Sequence, residues 1–240
     1  MIRKQVALIS GLWLLTVSAV AQVWQYVDPR IGSVGVGRTF PGPSMPFGMC
    51  KPGPDCTVLP NAGWAPMPEV VTGFSQTHVS GTGGGQKYGN ILILPCLANK
   101  VEPQRRVSEE IALGYYATTF ENGIRTEITA SERCAFYRIH YPQAGALLID
   151  ATHFLGKDSM PDLRERQQFV GAEVEVISDR EVRGYSRIRG GWNNGDAYTV
   201  YFCLLADQPF TASQSDRHAV TCDLTKCLTP CEVKVGISYV

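Results

Sequence analysis

This chain has no excess charge of either sign: 22 Lys and Arg are matched by 22 Asp and Glu, giving a formal net charge of zero. A nucleic-acid-binding protein needs a basic stripe to neutralise phosphates, and no acidic or basic run here is long enough to supply one. No nucleic-acid partner is expected. Internal repeats, coiled-coil heptads and disordered tracts are also missing. Helical periodicity is scarce: only Met160 to Val170 reads as helical, with Pro161 placed where a helix could start. The one long apolar run, Val6 to Val20, is too short for a membrane span.

That run has another reading. Arg3 and Lys4 precede it, and Ala19-Val20-Ala21 has the small-x-small form of a cleavage site. Residues 1–21 read as a secretory signal peptide, with mature protein from about Gln22 and no membrane association after cleavage. The alternative is an uncleaved N-terminal anchor. No Cys follows the cleavage site, so a lipoprotein anchor is not indicated. Export makes disulfides chemically possible for the eight cysteines. Cys96, Cys134 and Cys203 sit in apolar strand-like runs, where Cys acts as a small buried hydrophobe. The cluster Cys222-x4-Cys227-x3-Cys231, with His218 nearby, leaves three readings open: a local disulfide, free thiols, or zinc held at an unusual spacing.

What is present is β-structure. Asn90 to Pro95 is a continuous apolar run, as in a buried strand. Gly114 to Phe120 is aromatic and β-branched and runs into Asn122-Gly123, the strongest short hairpin signal. Ile124, Thr126 and Ile128 then alternate with Arg125, Glu127 and Thr129, the pattern of a half-buried antiparallel strand. Further strands are expected over 135–141, 146–151, 174–178, 181–189, 197–206 and 232–240. Evenly spaced strands with turn signals indicate an all-β fold, an antiparallel β-sandwich with long Gly/Pro-rich loops. Two of those loops stand out: 28–49, holding Phe40 and Phe47, and the segment Gly73-Phe-Ser-Gln-Thr-His-Val-Ser-Gly-Thr-Gly-Gly-Gly85. Their composition suits tight turns that bring amides, hydroxyls and one imidazole together along one pocket wall.

In order, several blocks resemble the N-terminal domain of glycoside hydrolase family 92, the calcium-dependent exo-α-mannosidases. They are Tyr26-Val-Asp-Pro-Arg-Ile-Gly32, Gly37-Arg-Thr-Phe-Pro-Gly42, Pro46-Phe-Gly-Met49, Gly73 to Gly83, Gly89-Asn-Ile-Leu-Ile-Leu-Pro95, Gly114-Tyr-Tyr116, Thr126-Glu-Ile-Thr-Ala-Ser-Glu-Arg133 and Gly190-Gly-Trp192. The likeness spans residues 22–240. It implies a super-sandwich domain packed on a C-terminal (α/α)6 barrel, which carries the general acid, the base and most of a calcium site. The barrel is expected to be absent from this chain, because its last strand runs to Val240. Hydrolysis needs a proton donor and a base, so no catalytic residue, metal site or cofactor is assigned here. Calcium is expected of the full-length family enzyme. The partners implied are a mannose-containing glycan, as in N-glycans, and the barrel. Localisation is periplasmic or secreted from a bacterium. Three positions depart from the family pattern in loops expected to face substrate: Arg38, Gln76 and Asn90. A free-standing carbohydrate-binding sandwich is the alternative function.

Six residues are candidates for glycan binding: Phe40, Trp64, His78, Thr82, Gly83 and Trp192. His78 is either a donor to a sugar hydroxyl or partner domain, or a loop brace bonded to a backbone carbonyl. Trp64 and Trp192, each beside a glycine, offer stacking platforms, or else plug the sandwich edge or contact the missing barrel. Thr82 and Ser80 could contact ligand or build the turn. Glu127 and Glu132 read as structural salt links. Asp150, His153 and Asp158 have no diagnostic metal spacing, and 193–196 reads as a turn rather than a calcium loop.

Overall fold

The computed structural model describes residues 23–35, 37, 39–57, 62–80, 86–98, 100–156, 166–191, 194–214, 216–226 and 230–240. The signal-peptide segment, Arg38, the Gly-rich tip with Thr82 and Gly83, Asp158, residues 160–165, Trp192, Asn193 and Cys227 lie outside these. A 3-10 turn, Val23–Tyr26, leads into fourteen strands. They are β1 (Gly53–Cys56), β2 (Val70–Ser75), β3 (Leu92–Leu97), β4 (Gln104–Ala112), β5 (Tyr115–Phe120), β6 (Arg125–Ala130) and β7 (Cys134–His140). There follow β8 (Gly145–Asp150), β9 (Gln167–Val176), β10 (Glu181–Gly190), β11 (Tyr198–Ala206), β12 (Thr211–Ser213), β13 (Ala219–Asp223) and β14 (Cys231–Ser238).

All pairings are antiparallel, in the order β12-β13-β8-β3-β2-β4-β5-β6-β7-β14-β11-β10-β9, with β1 added to β2. The all-β antiparallel expectation holds, and the strands form one hydrogen-bonded path. The path curls until its far parts meet: the Val174 amide of β9 donates to Arg217 O at 2.8 Å, just before β13. Curling also brings β2 against the middle of the other flank. Phe74, fully buried, packs its ring on Tyr116 and Phe120 of β5 and Tyr137 of β7 at centroid distances of 6.2–6.3 Å.

Local sequence explains most elements. Asn122 and Gly123 make the β5–β6 hairpin, with Gly123 at φ +85° and the Asn122 side chain accepting from the Ile124 amide at 3.1 Å. Ile124, Thr126 and Ile128 point inward as the alternation requires. One expectation is overturned: Gln167–Val170 is not helical but begins β9, because Gln167, Gln168 and Phe169 pair with Gly190, Arg189 and Ile188 of β10 and Val170 is the extra residue of a bulge. Gly73–Ser75 is not loop but the end of β2. The buried thiols of Cys50 and Cys222 are pushed up to about 12 by desolvation, and those of Cys56 and Cys96 to about 11. Cys222 stands as a free thiol, so it is not part of a local disulfide.

Phe74→Ala removes the ring on which three aromatics converge. The expected loss is about 3–5 kcal/mol, read as a lower urea midpoint at unchanged m-value.

Candidate functional site

Asp55 on β1 is the centre of the site. It is 1% exposed, and each carboxylate oxygen meets a different imidazole: His78 Nε2 lies 2.9 Å from Oδ1 and His153 Nε2 lies 2.7 Å from Oδ2. His78 follows β2 and His153 follows β8, so three separate chain segments converge on one charge. Burial opposes ionisation of Asp55, but the fields and hydrogen bonds of the two imidazoles outweigh it and hold the carboxyl well below the usual carboxylate range. His78 Nδ1 faces Lys51 O at 2.7 Å and Nε2 also lies 3.2 Å from Ser75 Oγ. Both ring nitrogens of His78 therefore serve the protein. This is the bracing arrangement, and it leaves neither nitrogen for a sugar hydroxyl.

Phe40, from the first Gly-rich loop, stacks on His78 with centroids 4.5 Å apart and planes 11° from parallel. Its amide donates to Ser80 Oγ at 3.1 Å. The two loops are thus joined, as their shared composition suggested, but Phe40 is a buried clamp and not an open stacking face. Close packing dictates the glycine between Ala62 and Trp64. A Cβ on Gly63, which sits at φ +79°, would lie 2.2 Å from Asp55 Oδ1 and 2.7 Å from His78 Nε2. The backbone there closes directly over the charge pair.

Trp64 takes the plug reading and not the stacking one. It is 4% exposed in the core, and its indole donates to Glu109 Oε1 at 2.9 Å, the same oxygen that receives the Tyr116 hydroxyl at 2.6 Å. Arg106 pairs with Glu109 as well. Its flanking glycine and polar neighbours suggested an exposed ring, but the half-buried Glu109 gives the indole an internal partner. Two residues expected to face substrate are equally internal. Gln76 donates to Phe74 O and Ile91 O and accepts from Tyr137 at 3.1 Å. Asn90 donates to Ser186 Oγ at 3.2 Å and accepts from Thr77 and from Tyr198, each at 3.1 Å. Segments flanking a strand can bury polar side chains where the opposite layer offers partners. Thr82, Gly83 and Trp192 lie outside the described residues.

Sequence reasoning missed Asp55 altogether and met His153 only as a weak metal candidate beside Asp150. Asp150 instead accepts from the Thr152 amide and hydroxyl at 2.8 and 2.6 Å, forming a turn. Glu127 is a structural link, bonded to Tyr115 at 2.6 Å and His140 at 3.1 Å, with Arg125 at 3.7 Å. Among the described residues no group of three His, Cys, Asp or Glu is arranged to hold a metal. Calcium favours six to eight oxygens, and the buried Asp55 carboxylate has both of its own engaged. The described residues do not fit that ion.

With this geometry in view, four likenesses are informative. The model of the glycosyl hydrolase family 92 N-terminal domain matches residues 26–223. An uncharacterized secreted glycosidase from Arthroderma benhamiae is 34% identical over 138 residues, which cover 52% of this chain and 18% of the relative. An α-mannosidase of family GH92 from Bacteroides thetaiotaomicron, solved in complex with mannoimidazole, superposes at a TM-score of 0.73 with 23% identity, over 90% of this chain and 32% of that one. The GH92 glycosyl hydrolase ccman5 gives 0.71 and 20%, over 88% of this chain and 32% of that one. This chain thus spans about a third of the length of those solved structures.

Asp55→Asn leaves two imidazoles facing a neutral amide and is expected to cost about 3–5 kcal/mol at pH 7. Because the folded carboxyl is depressed, its stabilising contribution is present above the ordinary value of 3.8 and is lost as pH falls below it. Urea titrations from pH 7 to pH 2.5 should therefore show the gap between wild type and variant narrowing below about pH 4. A gap independent of pH would contradict the charged pair.

Proposed function

The chain belongs to glycosyl hydrolase family 92 as its N-terminal domain, and from that premise we propose that it forms the glycan-facing wall of an exported α-mannosidase whose catalytic groups lie on a partner domain. The observation that carries this reading is an uncovered apolar segment at the start of the domain. Within 23–47, Trp24 is 55% exposed, Tyr26 81% and Ile31 75%, and Phe47 is wholly exposed at φ 60°. A bulky residue rarely adopts that backbone conformation, so here the chain holds an aromatic ring out into solvent at a cost. Exposed apolar surface of this density marks an interface, and an (α/α)6 catalytic domain is the occupant that the family supplies.

Chemistry supports the division of labour. An inverting glycosidase needs two carboxyl groups about 6.5–9.5 Å apart, with a water between. Among the described residues the buried carboxylate beside the joined loops is Asp55 of β1, and both its oxygens are bonded to imidazoles, while Asp28 of the first loop is paired with Arg30. The acid, the base and the calcium belong to the partner domain in this reading. The present chain supplies a rigid wall, with the backbone of Thr82 and Gly83 and the ring of Trp192 as its sugar contacts and a mannose-containing glycan as the ligand. The leader over residues 1–21 directs export.

Two outcomes are expected of the purified chain. It releases no mannose from α-mannobiose with or without calcium, and it binds an apolar dye that a Trp24→Ser, Phe47→Ser double variant binds less without losing thermal stability. Mannose release by this chain alone would overturn the assignment. Saturable binding of mannose with no dye-accessible surface would point instead to a free-standing carbohydrate-binding domain.

A further inference from the structure

The strands that pack on Phe74 have a second, outward face. Side chains alternate along a strand, so Tyr116, Ile128 and Tyr137 point inward and are buried, while Tyr115, Thr129 and Phe136 point outward. Register sets these three side by side: Tyr115 on β5 opposes Thr129 on β6, which opposes Phe136 on β7. A cavity of about 140 Å³ opens among them, far more than one water needs. The short, exposed Thr129 lies at its floor and the two half-buried aromatic side chains flank it. Those flanks stand two strands apart, about 9.5 Å at the backbone. A flat ring in contact with both takes up about 7–8 Å, so the gap admits one ring and not two. The other flank of Phe136 is already taken: Lys234, its partner across on β14, places Nζ 5.9 Å from the ring centroid.

One end of the cavity is polar and electrically balanced. Glu127 and Arg138 oppose each other in the next row and both line it. Glu127 Oε1 accepts from the Tyr115 hydroxyl at 2.6 Å, and Oε2 lies 3.1 Å from His140 Nε2. Arg138 donates to Glu232 Oε1 through Nε at 3.1 Å and Nη2 at 3.0 Å. With both charges compensated, the cavity exerts little net pull on an ion of either sign. Hydrogen-bonding capacity remains, because each carboxylate oxygen has a second lone pair and a guanidinium has more N–H groups than these two bonds use. Apolar flanks one ring apart, with acceptors and donors at one end, match a sugar ring, which has C–H faces and a rim of hydroxyls. We propose that this outer-face cavity binds one neutral hexopyranose unit of a glycan. The Gly-rich loops gather around Asp55 on β1, which pairs with β2, and Phe74 of β2 packs on the opposite face of this layer. The site is therefore separate from the loops, does not rest on their sugar-facing reading, and would hold a long glycan at a second point.

NMR titration of the isotope-labelled full chain tests this, with the Thr129 methyl and Phe136 ring resonances as local reporters. The probes are methyl α-mannoside, methyl α-glucoside, methyl β-galactoside and, as a charged control, tetramethylammonium. At least one sugar should shift both reporters saturably, with an affinity unchanged by added salt. That affinity should fall about fivefold or more in Phe136→Ala, read at the Thr129 methyl. It should fall as much in Thr129→Tyr, read at the Phe136 ring, since the larger side chain fills the gap while both flanks stay in place. Thr129→Tyr, at an exposed position, decides the matter if Phe136→Ala lowers the melting temperature. A sugar that moves resonances of the Gly-rich loops and leaves both reporters still would place binding at the loops alone and overturn the outer-face site. So would sugar binding at the reporters that neither variant weakens, or a preference for tetramethylammonium. A folded chain in which no sugar moves either reporter also overturns the proposal, whatever the loops bind.

Discussion

The Asp55 carboxylate is shared between His78 and His153, partners 23 and 98 residues away in sequence. An isolated carboxylate this deep in the protein would be too costly to keep ionised. The second imidazole is therefore part of the reason the charge can sit there, and the charge is part of the reason the loops sit where they do. His78 is fixed at both nitrogens. Phe40 lies flat on His78, Ser80 receives the Phe40 amide, and Gly63 closes over the pair with no room for a Cβ. The glycines of this region are thus set in part by close approach, and the hydroxyls in part by the need to satisfy loop amides.

A second layer of polar contacts extends from this cluster into the sheet. Gln76 reaches Tyr137, and Asn90 reaches Ser186 and Tyr198, so β2 and the segment before β3 are bonded to strands on the opposite flank. Both positions were expected to lie in substrate-facing loops; their side chains instead wire the layer beneath the loops. The curled sheet makes this possible because strands far apart along the path face one another across the interior.

A rigid interior contrasts with what the domain leaves outside. Exposed rings between residues 23 and 47 sit at one region of the chain, and Arg166, Arg187 and Arg189 line a cleft at the β9 edge. The first is apolar and suits a broad, dry contact with another domain. The second is polar and charged. The two surfaces draw on different forces and share no residues.

Much of the fold was legible in the chain itself. Period-two alternation in β6, the Asn122-Gly123 turn and the apolar run leading into β3 are local signals, produced by neighbours within a few residues, and they carried over into strands and a hairpin. The joining of the two Gly-rich loops was also foreshadowed by their composition. What sequence could not carry were choices made between distant segments. Whether Gln167–Val170 would be helix or strand depended on β10 offering an edge. Whether Trp64 would be a platform or a core residue depended on Glu109, 45 positions away, offering an acceptor. Asp55 had no local signal at all, because a buried ion pair is defined by who reaches it and not by its neighbours in sequence. The sequence by itself determined the all-β class, the family and the Gly-rich loops; only the tertiary structure decided which polar residues were braces, since burial and partnership exist only once the sheet has curled.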